Sequence, residues 1–252
     1  MWDDVRQLNL ATGALLVLLA VIVGICALIW QLRDSAFALK EIVLRGDLRH
    51  VTAPSVRATA VPQLRGGFFT ADLGDVRRAF ETVPWVRRAT VSRHWPDALV
   101  VDIEEHVPLA RWADGRGVDT DGELFAVNSA ELDQYEDLPA LEGPPGTEHL
   151  LTQRLHDFTQ WFKPLGRTPE AVTLSNRYAW SLTLDDGMVV DLGREQATET
   201  LGARISRLVA AFDQVRTRWG GTPDTVDLRY PNGFAVRVAG VKFLAPKGAQ
   251  TR

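Results

Sequence analysis

Histidine, aspartate and glutamate are the side chains that can do chemistry in this chain, so their spacing comes first. The five histidines are His50, His94, His106, His149 and His156. A helical metal site needs two of them three or four residues apart, and no pair has that spacing. His149 and His156 stand on one predicted helix and can share a face, but no further ligand accompanies them. Glu104-Glu105-His106 ends a predicted strand, where a solvated charge cluster is the plain reading. Asp185-Asp186 reads as turn chemistry, not as a carboxylate pair for acid–base work. Cys26 is the only cysteine, so there is no intramolecular disulfide and no cysteine metal centre. The chain has no G-x-S-x-G, no phosphate loop and no dinucleotide fingerprint. An enzyme would lack its catalytic groups here, and no cofactor or metal is expected.

The strongest signal lies near the N-terminus. No residue between Arg6 and Arg33 is charged, and Leu8 to Trp30 is almost wholly apolar. Such a helix is roughly 35 Å long at 1.5 Å per residue, enough to cross a ~30 Å hydrocarbon core. Trp2 and Trp30 flank it as interfacial aromatics do. A cleaved signal peptide competes, because Ala36-Phe37-Ala38 has the small-residue pattern of a cleavage site. Against it, the head of the chain carries Asp3 and Asp4 beside Arg6, and the apolar run is too long. Charge does not orient the anchor, since Arg33, Lys40 and Arg45 lie beyond its far end. The chain is 46% hydrophobic and 24% charged, with a net charge of −4 that belongs to the soluble part. That mild acidity argues against nucleic acid.

Beyond the anchor, hydrophobic periodicity predicts the elements. Phe37 to Gly46 alternates as a strand, and Thr52 to Leu64 is a short helix with Thr52 as its N-cap. Phe69 to Val83 is a helix with Asp72 as a cap. Val86 to Trp95 is a strand with Val86, Ala89, Val91 and Trp95 inward, followed by a strand from Leu99 to Glu105. A mainly β region follows. Its short strands are Leu109 to Trp112, Gly117 to Asp119 and Glu123 to Val127, and Leu138 to Gly146 is irregular. Thr147 to Leu165 is an amphipathic helix with Leu151, Leu155, Phe158 and Phe162 on one stripe. Strands Ala171 to Leu174, Tyr178 to Leu184 and Met188 to Leu192 precede a long helix from Glu195 to Trp219. Thr225 to Tyr230 and Phe234 to Val241 form a closing hairpin around Asn232-Gly233. The fold class is therefore α+β, with two soluble domains behind one anchor. The last strand has nothing after it to cover it. If it is a sheet edge, its free N–H and C=O groups can receive a partner strand.

Several segments carry a family resemblance. They are Phe68-Phe69-Thr70-Ala71-Asp72-Leu73, Val83-Pro84-Trp85-Val86, and Ala89 through Val91 and Arg93 to Trp95-Pro96-Asp97. Glu104/Glu105, Pro108, Ala110 and Trp112 follow, then Asp121-Gly122 and Phe125, the Leu138 to Pro144 loop, and Val226-Asp227-Leu228-Arg229-Tyr230. In order and spacing this resembles the FtsQ/DivIB family of bacterial cell-division proteins. The βααββ unit is similar to its POTRA (polypeptide-transport-associated) domain. The resemblance implies a tail over 1–9 in the cytoplasm, a transmembrane helix over 10–32 and a POTRA domain over 37–106. A β-rich domain with flanking helices over 107–243 and a flexible tail over 244–252 complete the layout. It further implies a non-enzymatic, single-pass type II scaffold of the inner membrane, with a periplasmic ectodomain, at the division septum. Its partners would be FtsB- and FtsL-like small coiled-coil membrane proteins, with other division proteins recruited through the POTRA domain.

Carried over by position, partner binding falls on Arg229, Tyr230, Gly233, Phe234 and Arg237, with Arg177 on a neighbouring strand facing an acidic group of the partner. Phe234 and Arg237 stand where family relatives often have small residues. Two other classes compete: a POTRA-bearing component that handles unfolded polypeptides, and an anchored enzyme of the cell wall. The first usually ends in a membrane β-barrel, and the second needs a catalytic dyad.

Overall fold

The structure is a computed structural model and describes residues 5–36, 39–135, 137–219 and 221–238. The chain separates into two compact units, Met1–Glu105 and His106–Arg252. The first opens with helix α1, Val5–Ala36. Its stretch Asn9–Leu28 is long and apolar enough to cross a membrane, and none of it is buried within the fold. Residues 1–4 of the expected N-terminal tail, 239–243 of the expected β-rich domain (with 239–241 of its last predicted strand) and the expected tail 244–252 lie outside the described residues.

The rest of the first unit has the βααββ order read from the sequence: β1 Glu41–Arg45, α2 Ala53–Thr59, α3 Leu73–Glu81, β2 Val86–His94 and β3 Ala98–Glu105. Residues 37 and 38 of the predicted first strand lie outside the described residues. β3 is central, parallel to β1 and antiparallel to β2. Gly46 ends β1 at φ +132°, where a Cβ would stand 2.2 Å from Ile103 O, so only glycine fits. Thr52 caps α2 through a reciprocal capping box with Ser55. Asp72 caps α3, accepting from Gly74 N–H at 2.7 Å and Asp75 N–H at 3.2 Å. Val76, Ala79 and Phe80 of α3 are buried, as are Val83, Ala89, Leu99 and Val101 in the same unit. Trp95 does not face inward as expected. It is 75% exposed, because β2 outruns the buried layer and its residues are exposed from Ser92 onward.

In the second unit the strands are β4 Pro108–Trp112, β5 Gly117–Asp119, β6 Leu124–Phe125, β7 Ala140–Glu142, β8 Pro169–Leu174, β9 Ala179–Leu184, β10 Val189–Arg194, β11 Thr225–Asp227 and β12 Ala235–Arg237. Helices α4 Ser129–Leu132, α5 Glu148–Phe162 and α6 Leu201–Trp219 complete it. Among the described residues the strands make one sheet in the order β12-β11-β10-β9-β8-β7-β4-β5-β6. The α5 stripe of Leu151, Leu155, Phe158 and Phe162 and the α6 stripe of Leu201, Ile205, Leu208 and Phe212 share one core with Val172, Leu182, Val190 and Val226. The segment Leu138 to Gly146 is not irregular throughout: β7 lies inside it, parallel to β4 and β8, with Leu141 fully buried. The last helix begins at Leu201 rather than Glu195, after a turn closed by a Gln196–Glu199 bridge.

Candidate partner-binding site

The site is built from the last two strands. β11 lies parallel to β10, with Val189 N–H donating to Asp224 O at 2.9 Å and Leu228 N–H to Asp191 O at 2.8 Å. Backbone groups alternate in direction along a strand, so Val226 also faces β10 while Thr225 and Asp227 turn to β12. There they pair with Arg237 and Ala235. Asp224 N–H adds a bond to Arg237 O at 2.8 Å. The residue between, Val236, then directs its N–H and C=O away from β11, toward the side where no described strand pairs.

β9 enters, β10 leaves, β11 leaves and β12 enters at the same end of the sheet. That topology gathers the turn with Arg177 and Tyr178, the Arg229-Tyr230 pair, and Gly233-Phe234 at one end. Arg177 is exposed in the β8–β9 turn, and Tyr178 beside it is 55% exposed at φ +58°. Arg229 grips Asp227 through Nε at 2.8 Å and a terminal nitrogen at 2.6 Å. The side-chain hydrogen bond from Arg229 holds the Asp227 carboxyl below the usual carboxylate range, and the same bond raises the guanidinium. The Arg229 stem lies over Gly193 in the β10 bulge, where a Cβ would meet Arg229 Cγ at 2.8 Å. Tyr230 is 54% exposed.

Not all six expected residues face outward. Phe234 is half-buried and packs on the core with Val236, whereas Ala235 and Arg237 are exposed on the opposite face. Arg237 also lies at the far end of β12 from the cluster. Gly233 has no positive φ, and a Cβ there would meet nothing, so its conformation does not demand glycine.

A polar network fixes the turn between β11 and β12. Arg207 donates to Tyr230 O at 3.0 Å and Gly233 O at 3.1 Å, and pairs with Glu199. Glu199 also takes Arg204 Nε at 3.1 Å. Arg204 is buried, and its other donors reach Leu192 O at 2.5 Å and Arg194 O at 3.0 Å. These positioning residues do not stand out as charges in the sequence. Their signal is Arg204 breaking the apolar stripe of Leu201, Ile205 and Leu208.

The Glu104-Glu105-His106 cluster is not solvated as expected, because two of its members are paired and shielded. Glu105 accepts backbone N–H from Val51 at 2.7 Å and from Arg49 and His50 at 3.1 Å. It also bonds His50 Nδ1 at 3.1 Å, and that ring stacks on Trp85 with centroids 3.9 Å apart. His106 Nδ1 meets Asp119 Oδ2 at 2.7 Å, and its ring stacks on Phe125 at 4.4 Å. His106, Asp119 and Glu123 bring three possible metal-ligand atoms within 4.8 Å of one another. Asp119 is already engaged, since its other oxygen takes Asp121 N–H at 3.0 Å and Glu123 N–H at 2.8 Å, which accounts for the group as closure of the β5–β6 turn. Asp185 and Asp186 are turn acceptors for Thr168 and Met188.

Residues 37–106 match the POTRA domain, FtsQ-type, and residues 110–229 match the C-terminal domain of cell division protein FtsQ/DivIB. A cell division protein FtsQ of Burkholderia pseudomallei is 51% identical over 97% of this chain and 97% of its own. The chain belongs to the FtsQ/DivIB family. Other FtsQ relatives are those of Bordetella pertussis, 39% identical over 95% of this chain and 93% of its own, and Nitrosospira multiformis, 37% identical over 94% and 99%. The FtsQ relatives align across both units and α1, and among the described residues Asn9–Leu28 is the one stretch long and apolar enough to cross a membrane.

Proposed function

We propose that this FtsQ-family chain is a non-enzymatic, single-pass scaffold of the division machinery. It captures an FtsB-like partner on the β12 edge, with FtsL held through the same assembly, and links early to late division proteins at the septum. The observation that carries this reading is the register of β12, which turns the N–H and C=O of Val236 off the edge where no described strand pairs, beside an exposed Arg177, Tyr178, Arg229 and Tyr230 cluster. Strand addition draws affinity from those main-chain groups and register from the side chains around them. Arg237 and Gly233 flank the added strand, and Phe234 holds β12 to the core from beneath.

The same reading places 1–9 in the cytoplasm, 10–32 across the inner membrane, and a POTRA domain (37–106) and a β-rich domain (107–243) in the periplasm, with 244–252 as a tail. Protease added to spheroplasts degrades everything after about Arg33; protection of the C-terminal unit would overturn the topology. Leu19→Arg costs about 2.5–3.5 kcal/mol of insertion free energy, read by carbonate extraction. Titration of a soluble FtsB-like ectodomain against the purified protein tests the site: saturable binding is expected, and its absence would remove the scaffold reading.

A further inference from the structure

The β2–β3 hairpin leaves an aromatic without a place in the core. His94, Trp95 and Pro96 are all exposed at its tip, Trp95 at 75%. A lone indole of this exposure contributes little to the fold's apolar burial. Arg93, two residues earlier, donates to Phe68 O and Ala71 O, both at 2.7 Å, and so ties the loop carrying Phe69 to this end of the sheet. Phe69 is itself 48% exposed. The hairpin is also tied to the start of β1. Lys40 N–H donates to Asp97 O at 3.0 Å, and Lys40 Nζ reaches Asp97 Oδ2 at 2.9 Å with the lysine side chain 66% exposed.

That tie fixes how far the tip can stray from α1. The apolar stretch ends at Leu28 and the helix at Ala36. Those last residues add roughly 12 Å of helix. The four steps from Ala36 to Lys40 add at most roughly 14 Å of extended chain. With α1 as the membrane anchor, the reading on which this rests, Lys40 stays within about 26 Å of the hydrocarbon boundary and Trp95, two residues from its partner Asp97, within roughly 38 Å, and both are free to come closer.

We propose that Trp95 is a second membrane contact. In this arrangement the hairpin tip lays its indole into the headgroup region of the bilayer that α1 crosses, with Phe69 and Lys40 beside it. Indole favours that zone because its ring is apolar and its N–H wants a polar partner. An ammonium on a long stem favours it too, next to anionic headgroups. The contact would restrict the orientation of the first unit at the membrane surface without a protein partner.

The test uses the full chain reconstituted in vesicles of phosphatidylethanolamine and phosphatidylglycerol. Cys26→Ser removes the only cysteine, and His94→Cys then places an environment-sensitive fluorophore beside Trp95. Asp47→Cys serves as control, because β1 and β3 run parallel from Glu41–Ala98 to Arg45–Asp102, which puts residue 47 at the opposite end of the sheet. The label at 94 should be blue-shifted against that at 47 and quenched by lipids spin-labelled in the headgroup region, and Trp95→Ser should abolish both. Protein that floats with the vesicles while its label at 94 is quenched no more than that at 47 overturns the contact and leaves the anchor standing. A label at 94 that is blue-shifted but not quenched by lipid assigns the tip to a protein neighbour and overturns it as well. Quenching that survives Trp95→Ser removes the indole from the role. Protein that fails to float refutes the anchor reading, and the contact with it.

Discussion

Glu105 ends β3 in the first unit and Asp227 ends β11 in the second, and each is paired with a base close by. Glu105 has a side chain only 8% exposed, takes three backbone N–H groups of the segment Arg49 to Val51, and holds His50 against Trp85. Asp227 takes Arg229, whose side chain is 63% exposed and followed by the exposed Tyr230. The chemistry is alike, but burial separates the roles. A shielded carboxylate satisfied by backbone donors is costly to lose, because the donors are then left without water. A solvated pair contributes little to stability, and a guanidinium with five donors keeps some for a partner. One pair therefore holds a loop to a sheet, while the other shapes a surface.

Breaking the buried pair should have the largest effect. Glu105→Ala leaves three loop N–H groups without their acceptor, and stability should fall by about 2–4 kcal/mol in chemical denaturation of the purified chain. Burial alone would raise the Glu105 pKa, but the N–H bonds from Val51 and His50 outweigh it and hold the group below the usual range. A depressed folded pKa gives stability that is complete above the unfolded value and is lost as pH falls through the folded one. Glu105→Gln should accordingly flatten the acid limb of the stability curve. A Glu105→Ala chain as stable as wild type would erase the contrast with Asp227.

On the other side of the comparison, two prolines on β12 separate surface from scaffold. Val236→Pro removes an N–H aimed off the sheet, whereas Arg237→Pro removes one aimed at Thr225. Val236→Pro should weaken an FtsB-like partner by about 1–3 kcal/mol with the melting transition kept. Arg237→Pro should lower the transition itself. Unchanged affinity in a folded Val236→Pro protein would move the partner to another surface.

The same contrast explains what the sequence reveals. Elements whose stabilising partners are near in sequence are legible: α3 with its Asp72 cap, α5 with its four-residue stripe, the Thr52 capping box, and the βααββ order. The family motifs carry the assignment because they fall along all of these elements. Features stabilised from afar are not legible. Glu105 looks solvated because its partners lie more than fifty residues upstream. β7 has three residues between prolines, and only its neighbours β4 and β8 make it a strand. Trp95 continues an alternating pattern past the point where the sheet is covered. Of the candidate site, the last strand and the Arg229-Tyr230 pair are legible, but the role of Arg204 and Arg207 is not: they meet Glu199 nearby in sequence, while the carbonyls they hold, on β10 and in the β11–β12 turn, are brought to them only by the fold.

Tyr230 sharpens the surface side with a smaller change. Its ring is more than half exposed, and its backbone O is held by Arg207, so Tyr230→Ala leaves the turn tethered. Partner affinity should fall by about 1–3 kcal/mol if the ring anchors the interface, with stability within about 0.5 kcal/mol of wild type. Calorimetric titration beside thermal melting reads both. Loss of stability instead of affinity would put Tyr230 with Glu105.

Arg229 gives the smallest expected effect and the closest test of the comparison. Arg229→Lys keeps much of the stem over Gly193 and keeps the charge, but loses the two-pronged grip on Asp227. The pair is too exposed to contribute more than about 0–1 kcal/mol to folding, so the denaturation midpoint should barely move. Asp227 is depressed chiefly by its bond from Arg229, so whatever stability it adds is present above the unfolded carboxylate pKa and fades as pH falls through the folded one. That acid dependence should be a small fraction of the one Glu105 produces. Partner binding should respond differently, because a rim charge acts mainly on association rate and its salt dependence. Rapid-mixing measurements over a range of salt should show a slower association for Arg229→Ala and a shallower salt slope, with Arg229→Lys close to wild type. If Arg229→Lys destabilised the protein as much as Glu105→Ala, the exposed pair would be a structural clamp like the buried one, and burial would not be what separates them.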